Sequence, residues 1–104
     1  MIKVLILTEG GGSLGWGHLT RCAAIAEGLE AAGCEWQGVI NAQGSLPSLA
    51  SGPRWFSGNW QEIDEAATRP ISLADTIIID SYLAPESVYE KIHALNPNLV
   101  VIDD

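Results

Sequence analysis

The sequence predicts a doubly wound α/β fold: a parallel sheet of five strands with helices on its faces. Two runs, "IKVLILT" (2–8) and "DTIIIDSY" (75–82), are aliphatic and β-branched with almost no polar alternation, as strands buried on both faces require. Each is followed by turn residues and then by a stretch with helical apolar spacing. Strands that alternate with helices need right-handed parallel crossovers, for which the order 3-2-1-4-5 is expected.

The elements follow in chain order. After the first strand and a Gly-rich break, Leu19, Cys22, Ala23, Ile25, Ala26, Leu29 and Ala31 repeat at helical intervals and Gly33 supplies a stop, so the first helix is placed at 18–32. "EWQGVIN" (35–41) reads as the second strand, and Gly38 inside it points to close approach of a neighbouring element. Between 42 and 75 the pattern is less regular: a short helix near "SLPSLA", a short strand at "RWFS", and a helix at "NWQEIDEAA" opened by Asn59. The fourth strand carries Asp80 and Tyr82 at its carboxyl end. "APESVYEKIHAL" follows as a helix with Pro85 in its first turn and Glu86 favouring the positive end of the dipole. "NLVVIDD" is the fifth strand.

At 104 residues and 47% apolar, residues 1–104 make one domain with a modest core. Thirteen acidic residues against five basic ones, with no basic cluster, exclude a surface that tracks nucleic-acid phosphates. The N-terminal apolar run is too short to span a membrane and lacks a small-residue cleavage site, which favours a cytoplasmic protein. Cys22 and Cys34 have neither redox nor zinc spacing and read as small buried thiols. No metal site is expected. The chain stops at Asp104, at a strand end where a parallel sheet needs a further covering helix, so a fragment of a longer, two-domain chain is expected.

In such a sheet, ligands bind at the carboxyl ends of the strands near the switch in strand order, which places the loop at 9–17 in the default site. Its glycines permit positive φ and close backbone approach, and the following helix end adds partial positive charge. "GGGSLG" fits G-x-G-x-x-G at Gly10, Gly12 and Gly15, yet the acid expected after the second strand is replaced by Asn41, which argues against a dinucleotide cofactor. A P-loop fails as well, because His18 and Leu19 stand where Lys and Ser/Thr are required. No cofactor is therefore expected.

The whole block "MIKVLILTEGGGSLGWGHLTRCAAIAEGL", with "GS" at 44–45, "IIIDSY" at 77–82 and "VIDD" at the end, resembles the UDP-sugar hydrolases of pseudaminic acid biosynthesis and their relatives in spore-coat polysaccharide synthesis. The resemblance implies the Rossmann-like N-terminal half of a two-domain glycosyltransferase-B-type fold. It further implies release of UDP from UDP-2,4-diacetamido-2,4,6-trideoxy-β-L-altrose by water attack at the anomeric carbon, without a metal. The base would be the histidine of the G-x-G-H loop, here His18, and most of the UDP would be held by a second, C-terminal domain. "DSY" matches an Asp-x-Tyr pattern of that family, with Ser81 where members often carry His.

The residues themselves lead the same way. An imidazole at a helix N-terminus has its cationic form disfavoured by the dipole and can accept a proton from water; the plain alternative is a histidine that caps its helix or bonds a nearby carbonyl. Tyr82 is a candidate to bond a sugar substituent or orient the water, or else a half-buried aromatic with its hydroxyl in solvent. Gly12, Ser13, Gly15, Trp16, Gly17, Arg21, Asp80 and Asp104 are the candidate substrate contacts. Trp16, flanked by glycines, is read as lying outside the core, stacked on a sugar or docked on a second domain. Arg21 is placed to reach a phosphate, to pair with Glu35 or to stay solvated. Asp103 and Asp104 share the edge, either as acids near the chemistry or as caps of the next turn. His93 reads as a surface residue, and Trp36, Trp55 and Trp60 as packing.

Three functions fit: the hydrolase, a glycosyltransferase of the same architecture in which the base activates an acceptor hydroxyl, and a non-catalytic sugar-binding or interaction module. In the last case the exposed cleft would bind a partner subunit, a second copy of the chain being one candidate.

Overall fold

The computed structural model describes residues 1–102; Asp103 and Asp104 lie outside the described residues. The elements run β1 (Lys3–Gly11), α1 (Gly17–Ala31), β2 (Glu35–Gln43), β3 (Trp55–Ser57), α2 (Glu65–Leu73), β4 (Thr76–Asp80), α3 (Glu86–Leu95) and β5 (Leu99–Ile102), with single 3-10 turns at Gly12–Leu14 and Ser48–Ala50. All strands pair in parallel in the order β3-β2-β1-β4-β5, the expected doubly wound sheet.

β1 is the centre. It pairs with β2 from Lys3↔Glu35 to Gly11↔Gln43 and with β4 from Val4↔Thr76 to Thr8↔Asp80. It therefore runs on to Gly11 instead of stopping at Thr8, because the ladder to β2 continues through Glu9, Gly10 and Gly11 although their composition resembles a loop. Alternation along the strands divides the core in two. Val4 and Ile6 pack with Leu19, Cys22, Ala26, Trp36, Ile40 and Trp55 on the α1 face. Leu5 and Leu7 pack with Trp60, Ile71, Ile77, Ile79, Val88 and Ile92 on the α2/α3 face. A fully buried Ile or Leu is worth about 1.5–3 kcal/mol over an exposed one, so β1 and β4, apolar on both faces, fix the register of the whole sheet.

Gly38 behaves as its position in β2 suggests: a Cβ there would fall 2.1 Å from the Trp55 ring, which lies flat over the backbone and meets Trp36 edge-on at 5.1 Å. The second helix starts later than its composition suggests. Asp64, not Asn59, is its N-cap, accepting a hydrogen bond from the Ala67 N–H at 2.9 Å; Asn59 instead accepts from the Gln61 N–H in a turn. Residues 59–63 stay non-helical while the buried Trp60 indole donates to the Thr8 carbonyl at 2.6 Å. Pro85 is the N-cap of α3. The edge strand β5 leaves Val100 and Val101, on opposite faces of the sheet, about half exposed. Among the described residues no helix is long and apolar enough to cross a membrane.

Candidate active site at the carboxyl ends of β1 and β4

Thr8 and Asp80 are register partners at the ends of β1 and β4, and the Thr8 hydroxyl donates to the Asp80 carbonyl at 3.0 Å. Alternation turns the Asp80 side chain to the α1 face. From Gly11 the chain reverses through a tight loop, closed by the Gly11 N–H donating to the Gly15 carbonyl at 2.7 Å. Gly11 has φ +88°, and a Cβ on it would fall 2.3 Å from the Gln43 carbonyl oxygen, so only glycine fits.

Trp16 corrects an expectation. Its ring lies across Gly10, where a Cβ would stand 2.5 Å away, and it is half-buried against the α1-face core. The bare glycine backbone gives the indole a flat seat, so a residue read as lying outside the core partly belongs to it. Trp16 also forms the N-cap position of α1, with no side-chain cap bond, and puts Gly17 and His18 in the first turn. His18 therefore does not cap the helix.

His18 is buried, and its Nδ1–H donates to Asp80 Oδ1 at 2.6 Å. One turn on, Arg21 donates from Nε to Asp80 Oδ2 and from Nη2 to Asp80 Oδ1, both at 2.7 Å. The fork of the guanidinium fixes the carboxylate plane, and the carboxylate fixes the imidazole. Asp80 is completely buried, so its expected role as a substrate contact is replaced by that of an orienting group. Likewise, the carboxylate that engages these Arg21 nitrogens is Asp80, not the Glu35 considered from sequence. Cys22 lies 3.8 Å from Asp80 Oδ2, and burial pushes its thiol up to about 12, leaving it a protonated packing group. Cys34 is also free and only partly buried.

The other end of the imidazole is open chemically but not sterically. Nε2 is buried with no hydrogen-bond partner among the described residues. With Nδ1 holding the proton toward Asp80, the neutral ring presents a lone pair at Nε2. Tyr82, 66% exposed in the loop after β4, packs its ring edge-on against His18 at a centroid distance of 4.3 Å.

Sequence reading missed one residue. Glu9, at the end of β1, is completely buried and accepts from the Ser81 hydroxyl, from the Tyr82 N–H at 2.9 Å and from the Leu83 N–H at 3.1 Å. Ser81 in turn accepts from the Ala84 N–H at 3.1 Å. The signal was available in the alternation Leu5, Leu7, Glu9, which turns Glu9 inward on the α2/α3 face beside the continuation of β4.

The structure thus brings His18, Arg21, Asp80 and Tyr82 together. Gly12, Ser13 and Gly15 lie along the adjoining loop, and Gly17 opens α1. Asp104, also a candidate, is outside the described residues. His93 is on the surface of α3, and Trp36, Trp55 and Trp60 are core. Two open grooves of about 450 and 360 Å³ flank α2 and are lined by none of the candidate site residues. Among the described residues no group of three or more His, Cys, Asp or Glu is placed to hold a metal ion.

No family model matches this chain, and no curated protein matches it. Among solved structures, an alpha-glucosyltransferase in complex with UDP superposes with a TM-score of 0.63 over 97% of this chain at 17% identity. An alpha-glucosyltransferase in complex with UDP and a 13-mer DNA containing a central A:G mismatch gives 0.62 over 97% at 17% identity. The chain spans 28% and 30% of the lengths of those two proteins. The likeness is one of fold: this chain has a Rossmann-like parallel α/β fold similar to part of each of those structures.

Proposed function

We propose that this chain is the N-terminal half of a nucleotide-sugar hydrolase with His18 as general base. The observation that carries the proposal is the asymmetric imidazole, whose Nδ1–H is fixed by Asp80 while a buried Nε2 has no partner among the described residues. A buried acceptor left unmade costs about 1–3 kcal/mol, and a bound water or sugar hydroxyl would relieve that cost. In the reaction the water oxygen bonds to the anomeric carbon, the bond from that carbon to the UDP oxygen breaks, and the water proton passes to Nε2. The imidazolium so formed is stabilised by the Asp80 carboxylate, and UDP departs with the bonding pair. Tyr82 borders the ring and is exposed enough to touch the sugar or the attacking water.

The sequence resemblance points to a division of labour in which this half handles the sugar and a second domain holds most of the UDP, while Arg21 engages Asp80 through Nε and Nη2. The substrate proposed from the sequence resemblance is a UDP-diacetamido-trideoxy sugar. A second reading, a glycosyltransferase in which Nε2 activates an acceptor hydroxyl, is favoured by the glucosyltransferase likeness of the fold. The third, a sugar-binding module with its cleft on a second copy of the chain, predicts no turnover.

One assay tests all three: UDP release by the full gene product from that UDP-sugar, with and without sugar acceptors, for wild type beside His18→Ala. Release without acceptor, reduced about 10²- to 10⁴-fold in the variant, supports the hydrolase. Turnover only with an acceptor supports the transferase, and a variant as active as wild type removes His18 as base.

A further inference from the structure

Two buried carboxylates stand at the ends of adjacent central strands, and each grips the segment that leaves the other strand. Asp80 of β4 holds His18 and Arg21 of α1, the helix after β1. Glu9 of β1 holds the Ser81 hydroxyl and the Tyr82 and Leu83 N–H groups, in the loop after β4. The two grips converge where the Tyr82 ring meets the His18 ring at 4.3 Å.

We propose that Glu9 is a positioning residue that acts through Tyr82. By accepting three donors from residues 81–83 it fixes the backbone that carries the tyrosine, and so sets the tyrosine ring against the proposed base. The Tyr82 ring is 66% exposed and meets the His18 ring edge-on, and the bonds to Glu9 fix the main chain beneath it. A carboxylate suits this role because one oxygen accepts from the Ser81 hydroxyl while the other accepts from two consecutive N–H groups. With its hydrogen bonds spent on the loop and no exposed surface, Glu9 does not itself touch substrate. The catalytic side of this inference rests on the hydrolase reading; the positional side does not.

The test is a double-mutant cycle with an NMR readout. In Glu9→Ala the Ser81 hydroxyl and the Tyr82 and Leu83 N–H groups lose their acceptor, the loop loosens, and the His18 ring C–H resonances, shifted in wild type by the tyrosine ring current, move to the positions seen in Tyr82→Leu. In UDP release by the full gene product, Glu9→Ala lowers kcat about tenfold with KM little changed, and it adds nothing further in a Tyr82→Leu background. If Glu9→Ala fails to fold, Ser81→Ala, which removes the hydroxyl that donates to Glu9 and accepts from the Ala84 N–H, gives the same direction of shift in the His18 resonances. Unmoved His18 resonances in the folded variant, or kcat losses that simply multiply in the double variant, overturn the proposal. Should wild type release no UDP, the hydrolase reading fails while the resonances still decide the placement of Tyr82.

Discussion

Asp80 and Glu9 are both fully buried acids at the carboxyl ends of neighbouring strands, yet they stabilise opposite faces of the sheet in different ways. Asp80 is matched by side chains, a guanidinium fork and an imidazole, so its pairing is charge-assisted and links two residues one turn apart on a rigid helix. Glu9 is matched by neutral donors in a loop, one hydroxyl and two backbone N–H groups. The difference teaches how a small domain can hold a reactive pair. The proposed base is fixed through its own ring by a helix-facing acid, and its aromatic neighbour through the main chain by a loop-facing one.

Substitutions separate the two acids, beginning with the largest effect. His18→Ala lowers UDP release about 10²- to 10⁴-fold, read in the steady-state rate, because it removes the proposed base. Asp80→Ala leaves Arg21 and His18 without their common carboxylate and costs about 3–5 kcal/mol in urea unfolding, the range for breaking a buried pair from one side. Glu9→Ala strands the Tyr82 and Leu83 N–H groups and costs about 1–3 kcal/mol, with faster amide exchange confined to residues 81–84. A smaller loss here than for Asp80→Ala is the expected ranking, and urea midpoints check it.

The last effect concerns Cys22, is nil at neutral pH and appears only in alkali. Its thiol is raised from 9.0 to about 12 in the folded protein, chiefly by burial. Below pH 9 both folded and unfolded states keep the proton and the thiol contributes no slope. Between about pH 9 and 12 the unfolded chain ionises first, so stability falls by about 1.4 kcal/mol per pH unit from this group. Cys22→Ala removes that part of the slope. The comparison of unfolding free energies at about pH 8 and about pH 10.5, on either side of the unfolded thiol's titration, measures it.

Much of the fold was legible because its main signals are local. β1 and β4 announce themselves as apolar runs, α1 as a periodic stripe ending at Gly33, and Gly38 as a place of close approach. The parts that were not legible depend on partners distant in sequence. The ladder that carries β1 on to Gly11 requires β2 alongside it. The seat of Trp16 requires the bare backbone of Gly10 to be turned toward it. His18 could be picked out from its loop, but its orientation could not, because Asp80 lies 62 positions away. Asn59 looked like a helix cap as long as nothing showed that buried Trp60 keeps the next residues out of the helix and leaves capping to Asp64. Glu9 was hidden for the same reason: its three partners all begin 72 residues further on.

The central claim is that His18 carries its proton on Nδ1, toward Asp80, and offers Nε2 as the base. The ¹⁵N shifts of the His18 ring, recorded in long-range ¹H–¹⁵N spectra at neutral pH, test it most directly. The expected result is a protonated, pyrrole-like Nδ1 and an unprotonated, pyridine-like Nε2, with that pattern lost in Asp80→Asn. A proton found on Nε2 in wild type would contradict it.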